Sequence, residues 1–318
     1  MSMTTGHALS AQAASAVLMV RPRNFAANPQ TAESNVFQTR VAVPDAGTGV
    51  VARAEFDAAV DHLQRAGIEV LVLEDSDAPP KPDAVFPNNW VSFHPDGTMV
   101  LYPLLAANRR TERRPLQLEA LLRRHGFRID RVVDLTPMEA RGWHLEGTGS
   151  LVLDRVHAVA YAALSSRTHP QALAAFGREL AFDTLAFATA GPGGQPFYHT
   201  NVMLSIGSGF ALLCAEAVEP AAAQNAVLER LAATGRELLL ISSAQACAFA
   251  GNVLELATAG GGRLLALSET ALKALAPAQL AMLERHAGLV PLRVPTIERH
   301  GGGSVRCMLA EIFLPRIP

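Results

Sequence analysis

The sequence has few of the features that would tie a chain of 318 residues to a membrane, a nucleic acid or a disulfide scaffold. No apolar run approaches the roughly 20 residues that cross a bilayer, and Met1–Ser15 lacks the basic and apolar regions of a signal peptide. The 27 basic and 29 acidic residues leave a formal charge of −2, and no block of like charge is long enough to follow a phosphate backbone. We therefore expect a cytoplasmic protein with no membrane or nucleic-acid partner.

Cysteine is also scarce. The three cysteines (Cys214, Cys247 and Cys307) are an odd number without a C-x-x-C pair, which is typical of a reducing compartment and argues against a zinc site. We predict no metal and no cofactor. Cys214 and Cys247 lie in apolar stretches and are expected to behave as small hydrophobic side chains. Cys307 follows three successive glycines and is the candidate for a reactive thiol.

Short apolar strands bounded by Gly/Asp turns alternate with amphipathic helices, and 49% of the residues are hydrophobic. This pattern predicts an α/β fold with a sizeable core. The order strand, turn, strand, helix, strand recurs, with hairpin turns centred near residues 97, 155, 208 and 260. Those turns are 58, 53 and 52 residues apart, which indicates an internal ββαβ repeat. A repeat of that length suggests closure around an axis.

The two ends of the chain are expected to complete a fifth repeat. A strand over Ala16–Arg21, a helix near Phe56–Gly67 and a strand over Ile68–Leu73 would join the last dozen residues. Because no Pro/Ser-rich linker separates the repeats, residues 16–318 are predicted to form one domain. Residues 1–15 are predicted to be a flexible N-terminal tail.

Four segments carry polar residues where a strand or turn is expected to be apolar, and each comes from a different repeat: Pro82–Trp90, Trp143–Ser150, Phe197–Val202 and His300–Leu309. In a radial fold they would converge on the axis. Each alone is compatible with an ordinary structural role, such as an Asn-rich turn or a buried histidine.

Together, these segments place Glu146, His199 and Cys307 at the ends of predicted strands. Such residues are the parts of a covalent mechanism. In it, a thiolate attacks, a histidine shuttles protons and a carboxylate orients the group under attack.

With these segments in this order, the chain resembles the guanidino-group-modifying enzymes, which include arginine deiminases, dimethylarginine hydrolases, amidinotransferases and citrulline-utilisation hydrolases. The resemblance extends from about Val17 to Pro315. It implies a five-bladed, pseudo-symmetric α/β-propeller (pentein), in agreement with the repeat. It also implies that Cys307 is the nucleophile, His199 the general acid/base and Glu146 the carboxylate that hydrogen-bonds the terminal nitrogen of the substrate.

Further positions resemble the substrate-binding residues of these enzymes. Asp83 matches the first acid of an Asp-x-x-Phe segment. Arg109 and Arg167 match the two arginines that hold the α-carboxylate of an amino-acid substrate. A small amino acid is therefore the expected partner, and a homodimer is one option for the assembly.

Three amides depart from the family pattern. Asn88 and Asn89 stand where guanidine-acting members commonly have carboxylates, and Asn201 takes the aspartate position of a His-x-Asp pattern. A buried guanidinium without carboxylates costs several kcal/mol, whereas Asn can both donate to and accept from a neutral ureido group. The amides therefore favour citrulline, converted to ornithine, ammonia and carbon dioxide through an S-carbamoyl enzyme. Arg21–Phe25 and Phe86–Trp90 also resemble the citrulline-utilisation branch most closely.

Two other functions stay open at this point. If Asp83 and Glu146 supply enough negative charge, the chain is a guanidine hydrolase of the arginine deiminase or dimethylarginine dimethylaminohydrolase type. A propeller of this fold can also be a non-catalytic binding module, although such a module has no reason to assemble Cys307, His199 and Glu146. Whether the loop Asn24–Thr39 closes over the substrate is a further open question.

Overall fold

Five small mixed sheets make up the β-structure of the protein, whose computed structural model describes residues 11–39 and 47–317. In chain order the strands are β1 (Ala16–Arg21), β2 (Glu69–Glu74), β3 (Val91–Phe93), β4 (Thr98–Leu101), β5 (Arg131–Asp134), β6 (Val152–Asp154), β7 (Val159–Ala163), β8 (Asp183–Thr189), β9 (Leu204–Ile206), β10 (Phe210–Leu213), β11 (Val218–Glu219), β12 (Glu237–Leu240), β13 (Leu254–Ala257), β14 (Arg263–Ser268), β15 (Gly288–Leu292) and β16 (Ala310–Ile312).

The α-helices lie between these strands. They are α1 (Thr48–Arg65), α2 (Pro115–Arg124), α3 (Gly147–Ser150), α4 (Pro170–Leu180), α5 (Ala221–Ala232), α6 (Ser243–Cys247), α7 (Glu269–Ala274), α8 (Pro277–Glu284), α9 (Pro295–Gly301) and α10 (Val305–Met308). Short 3₁₀ turns include Pro87–Asn89, Ala107–Glu112 and Thr200–Val202.

The five sheets share one strand order. The central strands β1, β4, β7, β10 and β14 each pair antiparallel with one neighbour (β16, β3, β6, β9 and β13) and parallel with the other (β2, β5, β8, β12 and β15). A parallel pair needs a crossover connection, and α1, α2, α4, α5 and the pair α7–α8 lie in these crossovers. The predicted ββαβ repeat is confirmed. The pairing of β16 with β1 shows that the chain ends complete the fifth unit.

Proline marks several helix starts. Pro115, Pro170, Pro277 and Pro295 each occupy the first position of a helix, where the missing N–H is not needed and the fixed φ suits the helix. Helix α1, in contrast, begins at Thr48, well before the predicted start near Phe56. Its first turn carries exposed valines, so the buried stripe that reveals a helix in the sequence begins only further along.

The predicted N-terminal tail is partly wrong. Gln12 donates from Nε2 to the backbone oxygens of Leu153 and Ile206, at 2.9 Å and 3.1 Å, and Ala13 and Ala14 are buried. Residues 1–10 of that prediction lie outside the described residues. None of the helices in the described part of the chain is long and apolar enough to cross a membrane.

Burial differs between the two neighbours of each central strand. We call the antiparallel neighbour the inner strand and the parallel neighbour the outer strand. Every residue of β3, β6, β9 and β16 is buried, whereas β5, β8 and β12 have exposed residues. The inner strands are packed on both faces, so the residues just before each inner strand are anchored to a rigid frame. The polar segments identified in the sequence lie immediately before these inner strands.

Candidate active site

The polar segments come immediately before inner strands, and they contact one another. The turn Pro87–Asn89 precedes β3, α3 precedes β6, Thr200–Val202 precedes β9 and α10 precedes β16. Helix α3 packs against both 3₁₀ turns, and α10 packs against the first of them. The predicted convergence of these segments is confirmed. The local prediction was inexact, since Glu146 and His199 precede short helical turns and Cys307 lies within one.

A small cavity of about 10 Å³ lies where the segments meet, which is room for about one water molecule. Six of the nine predicted site residues line it: Asp83, Asn89, Arg109, Arg167, His199 and Cys307. The rest of the lining consists of Asn35, Phe86, Tyr198, Gly301 and Gly303. Glu146, Asn88 and Asn201 are buried in contact with these lining residues. An amino acid could enter only if side chains or the covering segment moved.

Cys307 is held between two amides. Its Sγ lies 3.5 Å from Asn201 Nδ2 and 3.4 Å from Asn252 Nδ2, and we call Asn201 and Asn252 the amide pair. The cysteine is only 2% exposed. Burial raises the pKa of its thiol, although hydrogen bonds from both amides act in the opposite direction. Asn252 was not predicted, because a lone Asn before a strand resembles an ordinary turn residue.

The three glycines before Cys307 permit close packing, as expected. A Cβ on Gly301 would lie 2.7 Å from the Phe86 ring, and Gly302 has a φ of +65° with Asn35 beside it. Side chains at these positions would overlap their neighbours or strain the backbone. The glycines therefore let the turn that carries Cys307 pack directly against the cavity wall.

His199 and Glu146 form a hydrogen-bonded pair. Nε2 of His199 lies 2.9 Å from Oε2 of Glu146. Burial lowers the pKa of His199 to about 4, although Glu146 opposes this shift. The imidazole is therefore neutral near pH 7, and since a carboxylate can only accept, Nε2 carries the proton and the unprotonated Nδ1 can act as a base.

Glu146 stays ionised in this buried position. Burial alone would favour its protonated form, but Arg167, His199 and Arg109 outweigh that effect, and the pKa of Glu146 falls far below its usual range. Its other oxygen accepts from the backbone N–H of Leu105 at 3.1 Å. The observed partner of this carboxylate is thus the catalytic histidine candidate, in addition to any role toward the substrate.

Gly149 makes room for this histidine. A Cβ at position 149 would lie 2.7 Å from Nδ1 of His199 and 2.5 Å from Nδ2 of Asn89. Neither neighbour can retreat easily, because both are buried among other polar groups.

The two arginines have different surroundings. Arg109 forms a two-pronged ion pair with Glu112, with both N···O distances at 2.9 Å, and donates to Asn89 at 2.9 Å. It also lies 3.6 Å from carboxylate oxygens of Asp83 and Glu146. A guanidinium that already lies against three carboxylates has little capacity to bind a fourth carboxylate. The geometry therefore argues against the predicted role of Arg109 in holding an α-carboxylate.

Arg167 is better suited to that role. Its guanidinium lies 3.3 Å from Glu146, donates to the hydroxyl of Ser34 at 2.9 Å and lies 4.9 Å over the ring of Tyr198. Apart from Glu146 its partners are neutral, which leaves part of its charge available. We call Asp83, Arg109, Glu112, Glu146 and Arg167 the charged cluster.

Three buried polar atoms in the segment Pro82–Trp90 lack hydrogen-bond partners among the described residues. They are Oδ1 of Asp83, Nδ2 of Asn88 and Nε1 of Trp90. Oδ2 of Asp83 accepts from Asn28 at 2.7 Å, and burial raises the pKa of this carboxyl, against the effect of Arg109. Unpaired buried groups of this kind normally meet water or a ligand.

The segment Asn24–Thr39 covers the cavity. Asn28 binds Asp83, Ser34 binds Arg167, and Asn35 donates to the backbone oxygen of Gly301 at 3.1 Å. Tyr198 closes another side through a hydrogen bond to the Gly302 carbonyl at 2.5 Å. These contacts were not predicted, because hydrogen bonds between distant loops leave no periodic signal in a sequence.

The remaining cysteines lie outside the cavity lining. Cys214 is buried as predicted, whereas Cys247 is exposed, which corrects the expectation of apolar surroundings. It falls at the end of a short helix on the surface. Within residues 11–39 and 47–317, no group of three His, Cys, Asp or Glu side chains is arranged to hold a metal ion.

A sequence model of the family described as "N,N dimethylarginine dimethylhydrolase, eukaryotic" matches residues 21–314. A comparison with curated proteins finds no match.

Solved structures share the fold at low sequence identity. The apo form of ArgZ, an arginine dihydrolase from the ornithine-ammonia cycle in cyanobacteria, has 16% identity and a TM-score of 0.70 over 95% of this chain, which spans 41% of the ArgZ chain. The N-terminal domain of ArgZ, covalently bound to a reaction intermediate, has 15% identity and a TM-score of 0.70, with 94% and 99% of the two chains covered. A dimethylarginine dimethylaminohydrolase in adduct with S-methyl-L-thiocitrulline has 14% identity and a TM-score of 0.64, covering 93% and 99%.

Proposed function

The chain belongs to the N,N dimethylarginine dimethylhydrolase family, and from that premise we propose that this C–N bond hydrolase acts on the ureido group of citrulline. The products would be ornithine, ammonia and carbon dioxide. The observation that carries the proposal is the neutral environment of the nucleophile, because Cys307 Sγ lies between Asn201 and Asn252. A guanidinium brought to this sulfur would meet amides, whereas a ureido carbonyl would find N–H donors.

The first half-reaction needs only residues of the site. Nδ1 of His199 takes the thiol proton, Sγ attacks the ureido carbon, and the C–N bond to the ornithine side chain breaks. The imidazolium returns its proton to the departing amine. Cys307 is left as an S-carbamoyl thioester. A covalent route is supported by the N-terminal domain of ArgZ, which has been solved covalently bound to a reaction intermediate.

Water completes the cycle. Neutral His199 takes a proton from a water molecule that attacks the carbamoyl carbon, and the C–S bond breaks to release carbamate and the thiol. Carbamate then decomposes to ammonia and carbon dioxide. Glu146 holds the proton on Nε2 throughout and stabilises the imidazolium, as a third group does in other nucleophile–histidine pairs.

Substrate binding is assigned to the charged cluster. Arg167 would hold the α-carboxylate, and the unpaired oxygen of Asp83 would accept from an N–H of the ureido head. Arg109 would act indirectly, since it fixes Asn89 and Glu112 in place. This division revises the expectation that both arginines grip the carboxylate.

A second candidate function is hydrolysis of arginine or a methylated arginine. The partnerless Oδ1 of Asp83 favours it, because an N–H of a guanidinium would satisfy this buried oxygen. The charged cluster has three carboxylates and two guanidinium groups, which leaves one negative charge if Asp83 is ionised. Burial, however, raises the pKa of Asp83, against the effect of Arg109, which works against a fixed negative charge at this position.

We also infer that the five sheets are the blades of a pseudo-symmetric propeller with the site on its axis. The shared strand order and the contacts among the segments that precede four of the inner strands support this arrangement. A single domain over residues 16–318 and a cytoplasmic location remain predictions.

The proposal is tested by following the ureido carbon. Citrulline labelled at that carbon is mixed with the enzyme, and samples are quenched in acid within one turnover. We expect transient label on the peptide that contains Cys307 and then label in carbon dioxide, with ornithine formed in equal amount. Unlabelled ornithine analogues and Cys307→Ser serve as controls. Absence of ornithine from citrulline, with citrulline or ornithine formed from arginine, would replace this proposal by the second candidate.

A further inference from the structure

Asn252 contacts the candidate nucleophile from the turn that precedes β13. The side chain is fully buried. Its Nδ2 lies 3.4 Å from Cys307 Sγ, slightly closer than Nδ2 of Asn201. These distances are within the range of hydrogen bonds to sulfur.

The turn is built to bring this amide to the sulfur. Phe249 adopts a left-handed φ of +60°, which is strained for a bulky residue, and its carbonyl accepts the backbone N–H of Asn252 at 2.8 Å. A Cβ on Gly251 would lie 2.3 Å from the carbonyl oxygen of Val202. Strain and close packing of this kind persist where the surrounding structure holds a residue in position, often at functional sites.

Asn252 also fixes the other amide. Its Nδ2 donates to the backbone oxygen of Asn201 at 2.9 Å. One amino group thus reaches both the sulfur and the main chain of its partner. The two turns before β9 and β13 are joined at the point where both side chains meet Cys307.

The nucleophile needs such donors, because a thiolate formed in a buried site loses its hydration. Hydrogen bonds to an ionised group are stronger than those between neutral groups, so each donor at the sulfur favours the thiolate. The two arginines of the cavity are engaged by carboxylates. The amide pair supplies two N–H groups at the sulfur without adding a charge.

We propose that Asn252 is a thiolate-stabilising residue, which together with Asn201 forms a hole of two N–H donors for ionised Cys307. The inference rests on the proposed function only in taking Cys307 as the nucleophile. A purely structural role, as a cap for the Asn201 carbonyl, would affect folding stability and leave the acidity of the thiol unchanged.

The test measures thiol acidity directly and needs no substrate. The rate of Cys307 alkylation by iodoacetamide is followed against pH by mass spectrometry of the Cys307 peptide, in a Cys247→Ser background. In Asn252→Ala, we expect the apparent thiol pKa to rise by about one unit, so alkylation below that pKa slows about tenfold. Asn225→Ala, which changes an exposed amide on α5, is the matched control and should match the parent.

Asn201→Ala provides a second variant, because it removes the other donor and keeps the backbone carbonyl that Asn252 caps. It should raise the thiol pKa in the same direction, and it decides the question if Asn252→Ala does not fold. With the physiological substrate, kcat of Asn252→Ala should fall while KM changes little.

Folded variants with an unchanged pH profile of alkylation would overturn the inference and leave Asn252 as a structural cap. Failure of the proposed function has a different signature, since citrulline would then give no ornithine whatever the alkylation profiles show.

Discussion

The amide pair and the charged cluster occupy the same small site, yet they solve the problem of buried polar groups differently. Around Cys307 the amides Asn201 and Asn252 satisfy one another and the sulfur without net charge. In the charged cluster every guanidinium lies against carboxylates. The difference indicates a division of work in which the neutral side serves the sulfur, whereas the charged side serves the histidine, the amino-acid end and, through Asp83, an N–H of the head group.

The strongest effect is expected on the neutral side. Cys307→Ser should fold normally and lose activity by roughly 10³-fold or more, because a serine hydroxyl is far harder to ionise than a thiol and no neighbouring side chain can replace it. Steady-state turnover measures the effect, and iodoacetamide should inactivate the parent with protection by substrate. Cys247→Ser, on the exposed cysteine, is the control and should be fully active. Near-normal turnover of the serine variant would exclude covalent catalysis by this residue.

On the charged side, Glu146→Gln removes the carboxylate that orients His199. We expect kcat to fall by roughly 10²-fold, since general acid–base catalysis typically contributes 10²–10⁴-fold, while the thiol pKa changes less than in Asn252→Ala. The measurement is kcat beside the pH profile of alkylation. A variant with unchanged kcat would show that the His199–Glu146 contact has no part in proton transfer.

The two arginines should respond differently to the same mild change. Arg167→Lys keeps the charge but loses the planar fork, so KM should rise by roughly tenfold with a small change in kcat. Arg109→Lys breaks the paired hydrogen bonds to Glu112 inside the protein, so its main effect should be a lower thermal unfolding temperature. Steady-state kinetics and thermal unfolding of both variants test the distinction. A rise in KM for Arg109→Lys alone would reverse the assignment.

A smaller effect concerns stability against pH. The pKa of His199 is lowered to about 4 by burial, from the usual value of 6.5 for a histidine. Between these values the unfolded chain binds a proton that the folded chain does not, so stability falls as pH decreases through this window, by at most about 1.4 kcal/mol per pH unit. His199→Gln should lose less stability than the parent between pH 6.5 and pH 4.5 in denaturant titrations. Equal losses would show that this histidine is not buried in its neutral form.

The repeat was predictable because hairpins and crossover helices have local signals. Glycine turns and short apolar strands are visible in neighbouring positions of the sequence, and the structure confirms the repeat that they predict. Arg109 and Glu112 also lie three residues apart, a spacing that predicts their ion pair, although the family resemblance assigns Arg109 to the substrate.

Other features depend on contacts between distant segments. Glu146 meets His199 across 53 residues, and Asn252 meets Cys307 across 55. Gln12 to Ala14 carry no apolar periodicity, and their burial follows only from where the inner strands leave space. Cys247 is the opposite case. Its apolar neighbours in the sequence predict burial, but the end of the helix that carries it lies at the surface.

The central claim is that the neutral amides at the sulfur select a neutral head group, and the wild-type enzyme tests it most directly. Citrulline and arginine are supplied separately at equal concentrations, and kcat/KM is obtained from ornithine formed from the first and citrulline or ornithine formed from the second. We predict a preference for citrulline of at least about 10²-fold, or about 2.7 kcal/mol. Arginine turned over as fast as citrulline, or faster, would contradict the claim.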